Sequence, residues 1–180
     1  MTSIAILADT HLEVKPPQKL MNFINKYDLI FHAGDFISLE TYNSLQDQSR
    51  LEAVYGNADS PDLKRLLPLR KILEVDGVRI GLVHQASYSM DLTGADMLAR
   101  EMEVDVLIFG HFHRPMVRKG ARLLICPGSP SLPRMSPPTI AELIIKPDEI
   151  NGKIIPLGAP SCNYLKFAES LAKRENNKRL

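Results

Sequence analysis

Five times along this 180-residue chain, a short apolar run stops at residues that can bind a metal ion. The stops are Asp9-Thr10-His11, Gly34-Asp35, Gly56-Asn57, His84 after Gly81-Leu82-Val83, and Gly110-His111-Phe112-His113. They contain four of the chain's five histidines. Ligands at the ends of such runs meet if the strands lie side by side, and loops can carry them to a common cavity. In an extended chain residues i and i+2 point the same way. Asp9 and His11 then aim at one point beyond their strand, and His111 and His113 do the same beyond theirs. Gly34, Gly56 and Gly110 each precede a ligand, where glycine permits a tight turn and close approach. The donors are carboxylate, imidazole and one amide, with no thiolate. That set suits manganese, iron, nickel or zinc better than magnesium or calcium. Two ions would need a bridge, and a carboxylate offers an oxygen to each.

The length suits one domain with a real core. With 44% apolar and 24% charged residues, the composition is that of a soluble globular protein. A net charge of +1, from 22 basic and 21 acidic residues, gives no strong nucleic-acid signal. No apolar run approaches the roughly 20 residues that span a bilayer, so no membrane association is expected. The start, Met1-Thr2-Ser3, has no signal-peptide pattern. Cys126 and Cys162 form no C-x-x-C motif and suggest neither a disulfide framework nor a zinc ribbon. A cytoplasmic protein with reduced thiols is expected.

Strand patterns fall at residues 3–8, 29–33, 51–55, 70–75, 78–83, 104–109, 122–126 and 139–145. Helical spacing follows Pro16-Pro17 (Leu20, Phe23, Ile24, Tyr27) and recurs from Leu92 to Met102 despite Gly94. Residues 59–67 read as a short helix with Asp59 or Ser60 as N-cap and Pro61 at its first position. Asp76-Gly77 signals a hairpin, as does Lys119-Gly120, and the five prolines of 127–138 require a loop. The mixture predicts two packed sheets with helices outside. The chain divides into a domain at 1–150 and an extension at 151–180. The extension holds an edge strand around Ile154-Ile155, an amphipathic helix at 163–173 with Tyr164, Ala168, Leu171 and Ala172 on one face, and a polar, solvated end.

In order and flanking residues, the five segments resemble the calcineurin-like metallophosphoesterases, and among them the small single-domain phosphodiesterases. The resemblance runs from Ser3 to Ile145 and includes Pro127-Gly128-Ser129-Pro130-Ser131-Leu132-Pro133-Arg134, similar to a Pro-Gly-Ser loop after the Gly-His-x-His motif. It implies a four-layer α/β/β/α sandwich of two mixed β-sheets flanked by helices, with a cleft at the strand ends. Motif by motif, Asp9, His11, Asp35 and His113 would hold one divalent ion. Asp35, Asn57, His84 and His111 would hold the other, with Asp35 as the bridge. Manganese leads among the metals, with nickel, iron and zinc also suited. The implied reaction is hydrolysis of a small phosphodiester by a metal-bridging hydroxide. Asn57, Asp35 and His84 carry the catalytic roles, and Asn57 also donates to the phosphate. A homo-oligomer is compatible with the resemblance.

Two positions depart from the family. Many members have histidine after the asparagine, able to act as general acid; here Ala58 stands in Gly56-Asn57-Ala58-Asp59. Where the family often reads His-Gly-His, this chain reads His84-Gln85-Ala86. Loss of a general acid costs about 10²–10⁴-fold, most for poor leaving groups, so aryl diesters should outpace alkyl ones. The alternative is a non-catalytic scaffold, like the retromer subunit of the same fold. A nuclease or nucleotidase fits less well, lacking the extra domains and the histidine at 58. Among neighbouring residues, His32 is expected to be buried and hydrogen-bonded rather than a ligand, and Cys126 a buried, inert thiol. Arg134 is expected at a substrate phosphate or in a surface ion pair, and Tyr88 lining the cleft or packed beside it.

Overall fold

The computed structural model describes residues 1–47, 50–89 and 91–159. The helix expected at 163–173, Cys162 and the polar end lie outside the described residues. The elements are β1 (Thr2–Leu7), α1 (Gln18–Ile24), β2 (Leu29–His32), α2 (Leu39–Gln46), β3 (Leu51–Ala53), α3 (Pro61–Leu66), β4 (Arg70–Val75) and β5 (Val78–Val83). They continue as α4 (Thr93–Glu101), β6 (Val106–Ile108), β7 (Pro115–Lys119), β8 (Leu123–Pro127), β9 (Thr139–Lys146) and β10 (Glu149–Pro156). Two five-stranded sheets result, ordered β10-β9-β1-β2-β3 and β4-β5-β6-β8-β7.

Each sheet contains three parallel strands, β1, β2 and β3 in the first and β5, β6 and β8 in the second; the others pair antiparallel. Strands buried on both faces read as continuous apolar runs, and Ile4-Ala5-Ile6-Leu7 shows how both faces are used. Ile4 and Ile6 enter the layer between the sheets with Phe31, Ile80, Leu82, Val106 and Ile125. Ala5 and Leu7 face the other way, toward Leu20, Ile24, Tyr42, Leu45 and Leu63 from α1, α2 and α3. On the far side Leu107, Leu124 and Cys126 pack against Ala95, Leu98 and Ala99 of α4. These three apolar layers make the α/β/β/α sandwich expected from the resemblance.

Several boundaries differ from the sequence expectation. Ser60 alone caps α3, accepting from the Leu63 amide at 3.4 Å with Pro61 next, which releases Asp59 for another task. Helix α2 was not expected; it starts at Ser38, whose hydroxyl accepts from the Thr41 amide at 3.2 Å. Strand β7 was foreseen only through its hairpin with β8. Strand β10 pairs with β9 along its whole length, far beyond Ile154-Ile155, and crosses residue 150. At the β4–β5 hairpin Asp76 and Gly77 both have positive φ, the geometry of a type I′ turn. No helix among the described residues is long and apolar enough to cross a membrane.

Candidate metal centre

Parallel strands share an end, and the loops at the C-terminal ends of both triplets face one crevice. Asp9 and His11 follow β1, Asp35 follows β2, Asn57 follows β3, His84 follows β5, and His111 and His113 follow β6. The structure brings all seven together. His11 Nε2 lies 3.1 Å from His113 Nε2 and 3.4 Å from Asp35 Oδ2. His113 Nε2 lies 3.5 Å from Asp9 Oδ1. Asp35 Oδ2 is also 3.4 Å from His84 Nε2, so one oxygen serves both halves of the centre. Asn57 Oδ1 is 3.0 Å from both His84 Nε2 and His111 Nδ1. Two groups have ligand atoms within 4.8 Å of one another: Asp9, His11 and His113, and Asp9, Asp35 and His84. Asp9 thus stands near both halves, beside Asp35.

The backbone achieves this convergence differently from the extended-chain expectation. Asp9, His11, Asp35, His111 and His113 have φ of 53°, 44°, 62°, 74° and 55°, in the left-handed region. Non-glycine residues rarely adopt it, and they hold it only where surrounding bonds over-determine the conformation. Those bonds are present. The Asp9 and His11 amides donate to the carbonyls of Gly34 and Asp35, both at 3.0 Å. The Gly110 amide donates to the His84 carbonyl at 2.9 Å. The His111 amide donates to the Asp9 carboxylate at 2.9 and 3.1 Å, tying one sheet's loops to the other's. A Cβ on Gly34 (φ +87°) would lie 2.7 Å from the Gly56 nitrogen, so glycine lets these two loops touch.

Outer contacts aim the ligands. Nδ1–H of His84 donates to the Ala33 carbonyl at 2.8 Å, and Nδ1–H of His113 to that of Leu132 at 2.7 Å. Both rings therefore point Nε2 inward, the usual arrangement at metal sites. The Ser129 hydroxyl donates to the Asp9 carbonyl at 2.6 Å, and that of Ser131 to the Thr10 carbonyl, so the Pro-Gly-Ser loop braces the first motif. His32 is fully buried, with Nδ1 accepting from the Gly34 amide at 3.2 Å and Nε2 3.3 Å from the Thr10 hydroxyl. Its burial and its hydrogen-bonded ring are those the sequence led us to expect. Burial and the nearby His84 push its pKa down to about 3.

Asp59 is the functional residue that the sequence reading missed. Its buried carboxylate accepts from the amides of Asp35 at 3.0 Å, Ile37 at 2.7 Å and Gly56 at 2.7 Å. It clamps the Asp35 and Asn57 loops together. The signal was present: with Ser60 able to cap α3, the preceding carboxylate was spare.

The electrostatics call for cations. Asp9 is wholly buried, and burial pushes its pKa up to about 7 against the pull of His84. Burial also opposes ionisation of Asp35, yet hydrogen bonds from His11 and His84 hold it well below the usual carboxylate range. His84 is raised because Asp35 outweighs its burial. His111 and His113 are lowered, chiefly by burial. Paired carboxylates this deep are costly without positive charge between them. The oxygen and nitrogen donors around them fit borderline divalent ions. Cys126 is buried with its pKa pushed up to about 12, an inert thiol. Arg134 is exposed, forms no ion pair among the described residues, and bears electrostatically on His111 and His113. Tyr88 is 97% exposed and does not pack beside His84. Neither Ala58 nor Ala86 carries a side chain that can donate a proton.

The calcineurin-like phosphoesterase superfamily domain matches residues 2–148 of the chain. The chain belongs to this superfamily. A probable metallophosphoesterase of Methanothermobacter thermautotrophicus is 32% identical over 169 residues, covering 91% of this chain and 98% of that protein. A probable metallophosphoesterase of Methanocaldococcus jannaschii is 35% identical over 160 residues, covering 86% and 81%. Among solved structures, zinc-complexed Vps29 of Entamoeba histolytica superposes with a TM-score of 0.69 at 20% identity, covering 85% of this chain and 98% of that one. An archaeal phosphodiesterase superposes with a TM-score of 0.66 at 22% identity, covering 85% and 99%. The last two likenesses establish the shared fold. The metallophosphoesterase family and the clustered carboxylates and histidines together support a metal-dependent phosphoesterase.

Proposed function

We propose that the protein is a metal-dependent phosphodiesterase with a dinuclear centre. Asp9, His11, Asp35 and His113 would hold one ion, and Asp35, Asn57, His84 and His111 the other. The observation that carries this reading is Asp35 Oδ2 standing 3.4 Å from imidazole nitrogens of both halves. Manganese is the first choice, with nickel, iron or zinc also suited. When bound, the ion pair supplies charge neutralisation and an activated water.

The chain's own residues do the positioning. Asp35 is oriented by the Ala58 amide, which donates to its Oδ1 at 2.8 Å. Oδ1 of Asn57 faces His84 and His111, which leaves the amide nitrogen to donate to a phosphate oxygen. Arg134 is available to a second oxygen. Nothing at Ala58 or Ala86 protonates a leaving group, so the reaction favours esters whose leaving group departs as a stable anion. Diesters suit the centre because one ester arm remains after attack and can be held beside the ions. The same reading places the enzyme in the cytoplasm.

A non-catalytic scaffold is the competing reading, favoured by the likeness to Vps29 and by the two alanines. A Vps29 structure itself carries zinc, so metal binding alone does not separate the two; turnover does. The test measures manganese-dependent hydrolysis of bis-p-nitrophenyl phosphate, p-nitrophenyl phosphate and an alkyl p-nitrophenyl-free diester. We expect the aryl diester to be fastest, the alkyl diester at least about 100-fold slower, and Asn57→Ala to abolish both. Absence of turnover with every metal would favour the scaffold, and a faster monoester would overturn diester specificity.

A further inference from the structure

The edge of a β-sheet presents amides and carbonyls that can pair with another strand. Among the described residues the two sheets end in β10, β3, β4 and β7. Three of these edges are poor templates. Strand β3 is Leu51–Ala53 alone, β10 has Gly152 at its middle and Pro156 at its end, and β7 carries Pro115 with Arg118 and Lys119. Strand β4, Arg70-Lys71-Ile72-Leu73-Glu74-Val75, contains neither glycine nor proline, and its burial alternates throughout.

The β4–β5 hairpin decides which backbone groups of β4 face outward. Its two-residue turn, Asp76-Gly77, makes Val75 and Val78 the closing hydrogen-bonded pair. Alternation then leaves Glu74 and Arg79, Ile72 and Gly81, and Arg70 and Val83 as non-hydrogen-bonded pairs. The Arg79 backbone agrees. Its amide donates to Asp105 Oδ2 at 2.9 Å and its carbonyl accepts from the Asp105 amide at 2.8 Å, both away from β4. The amides and carbonyls of Arg70, Ile72 and Glu74 therefore point out from the edge, and their side chains share one face. Ile72 is 47% exposed and lies opposite Gly81, which offers it no side chain. Glu74 is exposed and forms no ion pair among the described residues.

We propose that β4 pairs antiparallel with β4 of a second copy of this chain, about a two-fold axis at Ile72, so that two five-stranded sheets become continuous. The strand is self-complementary in that register. Ile72 faces Ile72, Arg70 faces Glu74 and Glu74 faces Arg70, each pair exchanging both of its backbone hydrogen bonds. On the other face the exposed Leu69 meets Val75, and Lys71, ion-paired with Glu52, lays its stem over Leu73. Like charges at 70 and 74 would repel a second copy. Opposite charges select one, because reversing the partner strand sets each against its opposite. Arg70 also pairs with Glu101 at 3.0 Å, and a guanidinium has donors for both carboxylates. A strand from an unrelated protein would find the same backbone groups without the matched charges.

Such an edge belongs with small, transient interfaces, and exposed ion pairs add little each, so the dimer Kd is expected in the micromolar range. Sedimentation equilibrium of the full chain up to about 100 µM, well above such a Kd, measures it. Arg70→Glu and Glu74→Arg each set like charges opposite one another twice in the pairing, and each should raise Kd about ten-fold. Both side chains are exposed, so neither change should disturb the fold. Mixed in equal amounts, the two variants should associate as the wild type does, since each supplies the charges the other now needs. A wild type that stays monomeric would overturn the proposal and leave the edge to another protein's strand. Single variants that associate like the wild type, or a mixture that associates no better than either variant alone, would also overturn it.

Discussion

Asp59→Ala removes the carboxylate that joins the Asp35 and Asn57 loops. Two of its three donors, the Asp35 and Gly56 amides, are buried, and the third, from Ile37, is partly so. Each buried amide left unpaired costs about 1–3 kcal/mol, and water reaching the third softens its loss. The expected destabilisation is therefore about 4 kcal/mol, large beside the roughly 5–15 kcal/mol of a typical domain but compatible with folding. Part of it is offset, because Asp35 (φ 62°) and Ile37 (φ 81°) can relax from the left-handed region once released. That relaxation withdraws Asp35 from its place between His11 and His84, so metal affinity should fall by more than stability alone explains. Asp59→Asn, which keeps one acceptor and the shape, should lose about half as much. Urea unfolding in chelator gives the first quantity and manganese titration of the folded variant the second. Destabilisation under about 1 kcal/mol with manganese affinity unchanged would refute the clamp.

Three further outcomes follow. His32 takes up a proton at pH 6.5 when unfolded but only near pH 3 when folded, so the folded state is progressively disfavoured as pH falls through that window, by up to about 1.4 kcal/mol per pH unit. His32→Gln, compared with wild type by urea unfolding from pH 7 to 4, should show a shallower loss; parallel curves would contradict the neutral, doubly bonded ring. Manganese at 100 times its Kd should stabilise by about 2.7 kcal/mol and raise Tm by roughly 5–10 °C, whereas an unchanged melt would argue against a specific site. Gly56→Ala places a Cβ against the Asp35 carboxylate, and should lower manganese affinity at least ten-fold while far-UV circular dichroism stays native.

Most of the ligands were legible because they follow apolar runs buried on both faces, as Ile4–Leu7 is before Asp9, whereas Asn57 follows the short, partly buried Leu51-Glu52-Ala53 and was legible from its Gly-Asn pair. The route by which they converge was not. Alternation along an extended chain put Asp9 beside His11, whereas both residues turn through positive φ, which only the bonds to the neighbouring loop make tolerable. Asp59 and Ser60 were alternatives for the cap of α3; Ser60 leaves the Asp59 carboxylate spare, but local sequence cannot show that it is taken up by the Gly56 amide and by the Asp35 and Ile37 amides, 24 and 22 residues earlier. Helix α2 escaped notice because only Tyr42 and Leu45 mark its apolar side, with Thr41 buried between its neighbours by hydrogen bonds to the Leu12 and Val14 carbonyls. Strand β10 alternates weakly, since Asn151, Gly152 and Lys153 interrupt it, and its pairing with β9 supplies the order.

The central claim is that seven side chains from both sheets form one centre for two ions. Equilibrium dialysis against manganese counts them directly. The account predicts two ions per wild-type chain, one in His113→Ala and one in His84→Ala, since each removes a ligand from a different half. Stoichiometry of one in the wild type, or two retained in both variants, would contradict it.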